Sequence, residues 1–525
     1  MWAPLLLLLL AASDVDAKIL YVNNSGTPTC SDSTTYASNS AASPWCSIGR
    51  ASWGNAVRSS SNTAEAATAG DTVTVTGGTY SHAGISTYVG VGPNRFTPLY
   101  GPLNSGTAGN PITFTCTGTC TLTTTSGSGA VFGALNVDYV TWHGFTLDET
   151  NAPSATDTGP VVLWSTTGSI IENNIITGDV NYFPGDNHTG IRIENGQSLT
   201  IRDNVISYFR NGGDPACVTS CVYSNPVNAA CIETYFAGNS YIYNNELHHC
   251  GTGVFLKGNG KYDSGLGFHP LGGGAWTVYL NYVHDTTIAG IYSYRREAPA
   301  DGSGLYIIRQ NLLVDVPYSF IVHVFEEGDA AQSEPRNIRI VNNTAVRGTS
   351  SILFLGLQPS AGHWFYNNIF SGPATQYVEV QGKTNANFAD TARVIMDYNL
   401  GNGAGTRWGI TDTGGSTTLA NWQSNVSQDS HSSNSAPSFA ASGSNDYRLC
   451  TASNVPVSGC AGASAALTVG LDVLDLDGDS STVDTIPAGA YITNLETIGV
   501  GSSGGGGSTP TGNGTGGMLR FKRFQ

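Results

Sequence analysis

The stretch NSYIYNNELHHCGTGVFLKGNG, residues 239–260, contains two short runs of alternating apolar residues on either side of residues 251–253. Its Asn-centred core recurs along the chain, in SIIENNIIT, LTIRDNVIS, TVYLNYVH, YIIRQNLLV, IRIVNNTAV, HWFYNNIFS and VIMDYNLG. The anchoring asparagines are Asn174, Asn204, Asn245, Asn281, Asn311, Asn343, Asn368 and Asn399, at steps of 25 to 41 residues. A fixed core motif at an uneven step is typical of repeated coils joined by loops of different length.

A second alternating stretch follows most of these motifs and usually opens with a small residue. The examples are GIRIEN, CIETYF, GVFLKG, GIYSYRR, SFIVHVFE and SILFLGL. Two or more short strands per coil, without helical periodicity between them, predict a parallel β-solenoid. An Asn at each bend can hydrogen-bond to its equivalents in the coils above and below, which explains a polar residue inside an apolar repeat.

These repeats resemble the right-handed parallel β-helix proteins of the pectate-lyase-like superfamily. AGDTVTVTGGTY (69–80) is similar to the opening coil of that group, and residues 435–462 with DLDGDSSTVDTIPAGAY (475–491) are similar to its closing segment. The resemblance implies an all-β, right-handed parallel β-helix with capped ends. It does not imply one activity, because the superfamily holds lyases, hydrolases, epimerases and non-catalytic surface proteins. The catalytic motifs of its pectate lyases, polygalacturonases and alginate epimerases do not occur, so no catalytic residue is transferred from a family.

The expected organisation is a signal peptide (1–17), an N-terminal cap with the first coils (18–110), the β-helix (111–400), a closing segment (401–495) and a tail (496–525). The signal is MWAPLLLLLLAASDVDA, with a six-leucine core and small residues before a predicted cleavage after Ala17. No later segment is long and apolar enough to predict a membrane span. The Gly/Ser-rich tail is predicted to be flexible, and its basic end MLRFKRFQ is either a disordered terminus or a sorting or docking peptide for surface attachment.

The composition favours a secreted or cell-surface protein whose partner is a polysaccharide rather than nucleic acid. The formal net charge is −16, and only 11% of residues are charged. Nucleic acid is therefore not an expected partner. An even number of cysteines after an export signal favours disulfides, here between near neighbours. The expected pairs are Cys30/Cys46, Cys116/Cys120, Cys217/Cys221, Cys231/Cys250 and Cys450/Cys460.

Alternation assigns the residues of the second stretch to the two sides of the sheet. Ile191, Ile232, Val254, Ile291, Phe320 and Ile352 are predicted to fill the core. One outward column is then Arg192, Glu233, Phe255, Tyr292, Ile321 and Leu353. A second is Glu194, Tyr235, Lys257, Tyr294, His323 and Leu355, with Lys257 near its centre. Arg296 continues this strip, and long loops, one of them containing His269, leave from the strand ends and can wall a groove.

The strip carries the groups that β-elimination from a uronic acid requires. Lys257 or His323 can be the base, Arg296 or Arg192 can neutralise the carboxylate, and Tyr235 or Tyr294 can be the acid. Phe255, Tyr292 and His269 complete the predicted substrate-binding surface.

Hydrolysis would instead use Glu194 and Glu233 on adjacent coils. We rank it below elimination because both glutamates have Arg192 and Lys257 as ordinary ion-pair partners. The alternative to an enzyme is a non-catalytic adhesive or structural solenoid, including a phage-type receptor-binding spike.

Metal sites receive little support from the sequence. Asp475, Asp477 and Asp479 alternate as at the start of a calcium loop, but position 486 is Ile where an acidic residue is expected, so a structural role is favoured over calcium binding. His248 and His249 show neither an i, i+4 partner nor a facing carboxylate in the sequence, and no metal is assigned to them.

Overall fold

The computed structural model describes most of the repeat region and parts of both ends. The described residues are 17–82, 97–124, 130–150, 159–180, 188–210, 229–235, 237–257, 275–294, 305–323, 338–348, 350–355, 363–372, 376–381, 394–402, 408, 418–442, 446–450, 470–471 and 485–486. Several predictions fall outside them, namely the signal peptide to residue 16, the Asp475–Asp479 stretch, Cys217, Cys221 and Cys460, and the tail. Among the described residues, no helix is both long and apolar enough to cross a membrane.

In the part of the chain that the structure describes, two parallel sheets run along the repeat region. The larger, sheet A, has twenty described strands: Ile19–Val22, Thr72–His82, Ile112–Thr124, Val140–Asp148, Ile170–Glu172, Ile175–Thr177, Thr200–Arg202, Val205–Ser207, Ser240–Tyr243, Glu246–His248, Trp276–Tyr279, Tyr282–His284, Tyr306–Arg309, Leu312–Val314, Ile338–Val341, Thr344–Val346, His363–Tyr366, Ile369–Ser371, Val394–Asp397 and Leu400–Asn402. Sheet B has nine described strands: Phe132–Leu135, Val161–Trp164, His188–Glu194, Ala229–Tyr235, Thr252–Lys257, Ala289–Tyr294, Tyr318–His323, Ser350–Leu355 and Gln376–Gln381.

Sheet B shows the solenoid most directly, because each of its strands is hydrogen-bonded to the next one along the chain and every such pairing is parallel. Between residues 170 and 381 each repeat gives sheet A two short strands and sheet B one, so the chain returns to the same place once per coil. The predicted parallel β-helix is confirmed. Sheet A begins at Ile19, so the region expected to be a cap with the first coils already takes part in the parallel pairing.

The remaining elements are short. Helices span Ile48–Trp53 and Leu419–Val426, and single 3-10 turns span Arg58–Ser60 and Thr63–Glu65. Two antiparallel hairpins pair Phe439–Ala441 with Asp446–Leu449 and Gly470–Leu471 with Thr485–Ile486. Tyr447 packs against Leu312, Val314 and Val346 of sheet A, so the closing segment covers part of that sheet from outside.

The predicted asparagine ladder is present in full. From Asn174 to Asn368, each ladder asparagine donates both its backbone N–H and its side-chain Nδ2 to the Oδ1 of the next, at 2.9–3.1 Å. All eight side chains are buried, with at most 1% exposure. Every amide in the ladder is therefore satisfied inside the apolar repeat, which removes the cost of burying it.

The residue before each ladder asparagine makes the bend between the two strands of sheet A. All eight lie in the left-handed region, with φ between 53° and 58°. Asn and Asp tolerate this conformation better than other non-glycine residues. They occupy five of the eight positions: Asn173, Asp203, Asn244, Asn342 and Asn367. The recurrent Asn-Asn pair therefore combines a bend residue with a ladder residue.

The small residues that open the strands of sheet B are required by close packing inside the coil. A Cβ added at Gly253 would lie 2.4 Å from Val283 Cγ1 and 2.6 Å from the carbonyl oxygen of Gly290. A Cβ at Gly290 would lie 2.2 Å from Leu313 Cδ2. The alternation that starts there sends Ile191, Ile232, Val254, Ile291 and Phe320 inward as predicted, each at most 1% exposed.

Three predicted disulfides are confirmed: Cys30–Cys46, Cys116–Cys120 and Cys231–Cys250. Cys450 is also disulfide-bonded.

Candidate functional site

The register of sheet B aligns the residues of the two predicted columns along neighbouring coils. Arg192, Glu233, Phe255, Tyr292, Ile321 and Leu353 are successive register partners. So are Glu194, Tyr235, Lys257, Tyr294, His323 and Leu355. Neighbouring coils therefore place these residues side by side, although they come from segments far apart in the sequence.

From Arg192 to Ile321 the first column is buried, so the expectation of an open strip is wrong for these residues. Arg192 is 5% exposed, Glu233 0%, Phe255 1% and Tyr292 3%. Phe255 and Tyr292 stack with ring centroids 4.6 Å apart. They belong to an apolar cluster on the outer side of the sheet, formed by Ala230, Phe255, Ala289, Tyr292, Tyr318 and Ile321. Their ring faces pack on each other, which leaves them unsuited to stack on a sugar in this state.

Arg192 holds two glutamates in a buried ion-pair network. Its Nε donates to Glu194 Oε1 at 2.8 Å, and its Nη1 donates to Glu233 Oε2 at 2.9 Å. Burial acts to lower the pKa of Arg192, but the charges of Glu233 and Glu194 outweigh it and raise the pKa above its ordinary value. The guanidinium is thus permanently charged and already matched by two carboxylates. The predicted ion-pair role of Arg192 is present, whereas its predicted role of neutralising a substrate carboxylate would need these contacts to break.

Tyr235 lies between two cationic side chains. The Arg192 guanidinium carbon is 4.0 Å from the centroid of the Tyr235 ring, and Lys257 Nζ is 4.4 Å from it. Lys257 Nζ also donates a hydrogen bond to the Tyr235 hydroxyl at 2.6 Å. The phenol is fixed by cation–π contacts and by this hydrogen bond. Tyr235 and Lys257 are both half-buried, so this pair is the part of the network nearest to solvent.

The surroundings of Tyr235 keep its hydroxyl protonated. Burial raises the pKa of Tyr235 well above its ordinary value, and Glu233 adds to the rise while Arg192 opposes it. A phenol in this state can give a proton to a reacting oxygen but cannot act as a base at neutral pH. The choice of Tyr235 as an acid, made from the sequence, stays a prediction.

For the other predicted site residues the structure gives the backbone register or no description. Tyr294 and His323 follow Lys257 in the backbone register of the second column. Arg296 and His269 lie outside the described residues.

Sheet A carries a second cluster of possible ligands, at histidines to which the sequence assigns no metal. Glu246, His248 and His284 offer one ligand atom each, all within 4.8 Å of one another. The expectation that no carboxylate faces these histidines is wrong, because Glu246 Oε1 lies 3.4 Å from His284 Nε2. A sequence signal for the cluster exists, because His248 and His284 each stand three residues after a ladder asparagine, Asn245 and Asn281.

Burial and neighbouring charges shift the pKa values of the two histidines in opposite directions. Burial, with His284 and His249 adding to it, lowers the pKa of His248 to about 4. Burial also acts to lower the pKa of His284, but hydrogen bonds to Glu246 and Asp285 raise it above its ordinary value.

No protein-family model matches the sequence, and no curated protein is significantly similar to it. Solved structures with a similar course of the backbone include a pectate lyase, at 13% identity and a TM-score of 0.45 over 91% of this chain and 96% of that chain. They also include a mannuronic acid specific polysaccharide family 6 lyase from human gut microbiota, at 11% identity and a TM-score of 0.43 over 75% and 76% of the two chains. An exopolygalacturonase from Thermotoga maritima matches at 12% identity and a TM-score of 0.37 over 64% and 81%. Similarity at this level assigns neither an activity nor a substrate.

Proposed function

We propose that this parallel β-helix protein is a secreted enzyme that cleaves an extracellular, uronate-containing polysaccharide by β-elimination. The observation that supports the proposal most directly is the Tyr235–Lys257 pair, a protonated phenol hydrogen-bonded to an ammonium group at 2.6 Å on the outer side of sheet B. Its chemistry suits a substrate that carries a carboxylate and needs a proton on its leaving oxygen.

Three residues of the second column take the three roles. Lys257 binds the uronate carboxylate, because its ammonium group carries the opposite charge. His323 removes the C5 proton, and the electron pair of that C–H bond forms the C4–C5 double bond as the C4–O bond breaks. Tyr235 gives its proton to the departing glycosidic oxygen. In the register His323 is two coils from Lys257, roughly 10 Å along the column.

Arg192, Glu194 and Glu233 are positioning residues in this proposal. Arg192 holds the Tyr235 ring at 4.0 Å, and the two glutamates fix the guanidinium. Their ion pairs also explain why we rank hydrolysis lower. A glycoside hydrolase needs one carboxyl group that donates a proton, and a carboxylate engaged with a guanidinium is a poor proton donor.

The direct test is a panel of uronate-containing and neutral polysaccharides, read by ultraviolet absorbance of the unsaturated product and by new reducing ends. β-Elimination predicts both signals together, and only with uronate polymers. New reducing ends without absorbance would show a hydrolase. Binding without either signal would show the non-catalytic adhesive or structural alternative.

Removing only the hydroxyl of Tyr235 tests whether this residue has a catalytic role or a structural one. Tyr235→Phe should lower kcat by about 10²- to 10⁴-fold, the usual contribution of a general acid, with an unchanged circular-dichroism spectrum. Tyr241→Phe is the matched control, because Tyr241 is 47% exposed on sheet A and should keep full activity. Equal activity of Tyr235→Phe and the parent protein would remove Tyr235 from the mechanism.

A further inference from the structure

The register of sheet A brings two histidines and a glutamate together on its outer side. His248 and His284 are direct register partners on neighbouring coils, and their rings stack with centroids 4.8 Å apart and planes 11° from parallel. Glu246 lies two residues before His248 on the same strand, and alternation therefore places it on the same side of the sheet. The three side chains form one group although two coils supply them.

The spacing of this group is close to that of a metal coordination shell. Ligands about 2.05 Å from a tetrahedral ion lie roughly 3.3 Å from each other. The Glu246 Oε1 to His284 Nε2 distance is already 3.4 Å, and the whole set lies within 4.8 Å. The side chains of His284 and Glu246 are 15% and 25% exposed, which leaves them room to adjust and leaves access for water.

A second carboxylate, that of Asp285, orients the His284 ring through Nδ1, the nitrogen that does not face Glu246. Asp285 Oδ2 lies 2.7 Å from His284 Nδ1. When Nδ1 donates its proton to Asp285, the lone pair of Nε2 faces the Glu246 carboxylate, so two acceptor atoms point at the same place. A carboxylate that holds the far nitrogen of a metal-binding imidazole is a recurrent second layer of metal sites.

We propose that Glu246, His248 and His284 bind one divalent ion of the zinc class, with water completing the shell. Two imidazoles and one carboxylate suit zinc and its neighbours in the transition series, whereas calcium prefers a shell of oxygen atoms. The ion joins two successive coils through ligands 36 and 38 residues apart, and so acts as a cross-link on the outer side of sheet A.

The test is calorimetric titration of zinc chloride into the full chain after treatment with a chelator. One ion per chain should bind with micromolar or tighter affinity and should raise Tm. His284→Gln and His248→Gln should each weaken binding by about 100-fold or more. Asp285→Asn should weaken it by about 10- to 100-fold, as loss of an outer-layer partner does. His143→Gln is the matched control, because His143 pairs with Glu172 on the same sheet and should leave the titration unchanged.

X-ray absorption of the zinc-loaded protein should show two imidazole ligands in a shell of nitrogen and oxygen only. If His284→Gln does not fold, Glu246→Gln takes its place, with an expected loss of at least about tenfold. No binding by the parent protein at millimolar zinc would overturn the proposal. Equal affinity and stoichiometry in the parent protein and in His284→Gln or Glu246→Gln would overturn it as well.

Discussion

Replacing Asn281 by alanine tests whether the asparagine ladder stabilises the coils or merely follows from their stacking. Asn281 is fully buried in the middle of the ladder. Its Oδ1 accepts from the backbone N–H and the Nδ2 of Asn245, at 3.1 and 2.9 Å. Its Nδ2 donates to the carbonyl oxygens of Ile242 and Tyr279 and to Asn311 Oδ1, at 3.0–3.1 Å.

The expected cost follows from the groups that alanine leaves behind. The backbone N–H of Asn245 loses its acceptor, at about 1–3 kcal/mol for a buried unsatisfied donor. Two carbonyl oxygens each lose a hydrogen bond worth about 0.5–1.5 kcal/mol. Asn281→Ala should therefore lower the free energy of unfolding by about 2–6 kcal/mol, measured by urea denaturation with an unchanged m-value. Native-state hydrogen exchange should show the largest loss of protection at the Asn245 amide.

The control is Asn62→Ala, because Asn62 is exposed and its side chain makes no capping hydrogen bond. It should change stability by less than about 0.5 kcal/mol. A loss below about 1 kcal/mol in Asn281→Ala, with the Asn245 amide still protected, would refute the reasoning. Water or a shifted backbone would then be replacing the side chain at no great cost.

Two further predictions concern buried charge. Arg192→Met leaves the Glu233 carboxylate buried without its guanidinium partner, so we expect the free energy of unfolding in urea to fall by about 3–5 kcal/mol. Adding Glu233→Gln should recover most of this loss. An unchanged free energy of unfolding in Arg192→Met would contradict the ion-pair network. Burial raises the pKa of Asp429 to about 6, although Ser432, Asn399 and Trp422 donate hydrogen bonds to it. Because the pKa in the folded state is the higher one, this group contributes stability, on the order of 3 kcal/mol, that is fully present below about pH 4 and is lost as pH rises through about 6. The measurement is the unfolding free energy from pH 4 to 7, and an equal pH slope in Asp429→Asn would show that another group is responsible.

The repeat could be predicted from the sequence because its signals are local. Alternation within six residues fixes which side chains point inward, and the recurring asparagine fixes how neighbouring coils are aligned. Together these placed Lys257 beside Tyr235 and Arg192 beside Glu233, as the register confirms.

What covers the outer side of a sheet could not be predicted in this way. Period-two alternation separates the two sides of a strand but does not indicate whether the outer side meets solvent or other parts of the chain. Phe255 and Tyr292 were therefore expected to face a ligand, and they are buried against each other. The His248–His284 contact was within reach, since aligning the repeats on Asn245 and Asn281 superimposes the two histidines.

The hydrogen bonds that join successive ladder asparagines all run in one direction, from each asparagine to the next, and this polarity has a consequence for how such a chain can change in length. Each coil receives donors from the preceding asparagine and passes donors to the following one, and the series stops where Asn399 donates to Ser432 Oγ and Asp429 Oδ1. Every internal coil thus offers the same acceptor to the coil before it and the same donors to the coil after it. The acceptors that end the ladder, Ser432 Oγ and Asp429 Oδ1, form a terminator that lies outside the repeats. Duplicating or deleting a whole coil between two ladder asparagines would leave every asparagine with a hydrogen-bond partner. Truncation before residue 429 would instead leave the donors of Asn399 without their acceptors. A variant with one coil more or fewer should therefore still have a complete ladder, as long as Asp429 and Ser432 are kept.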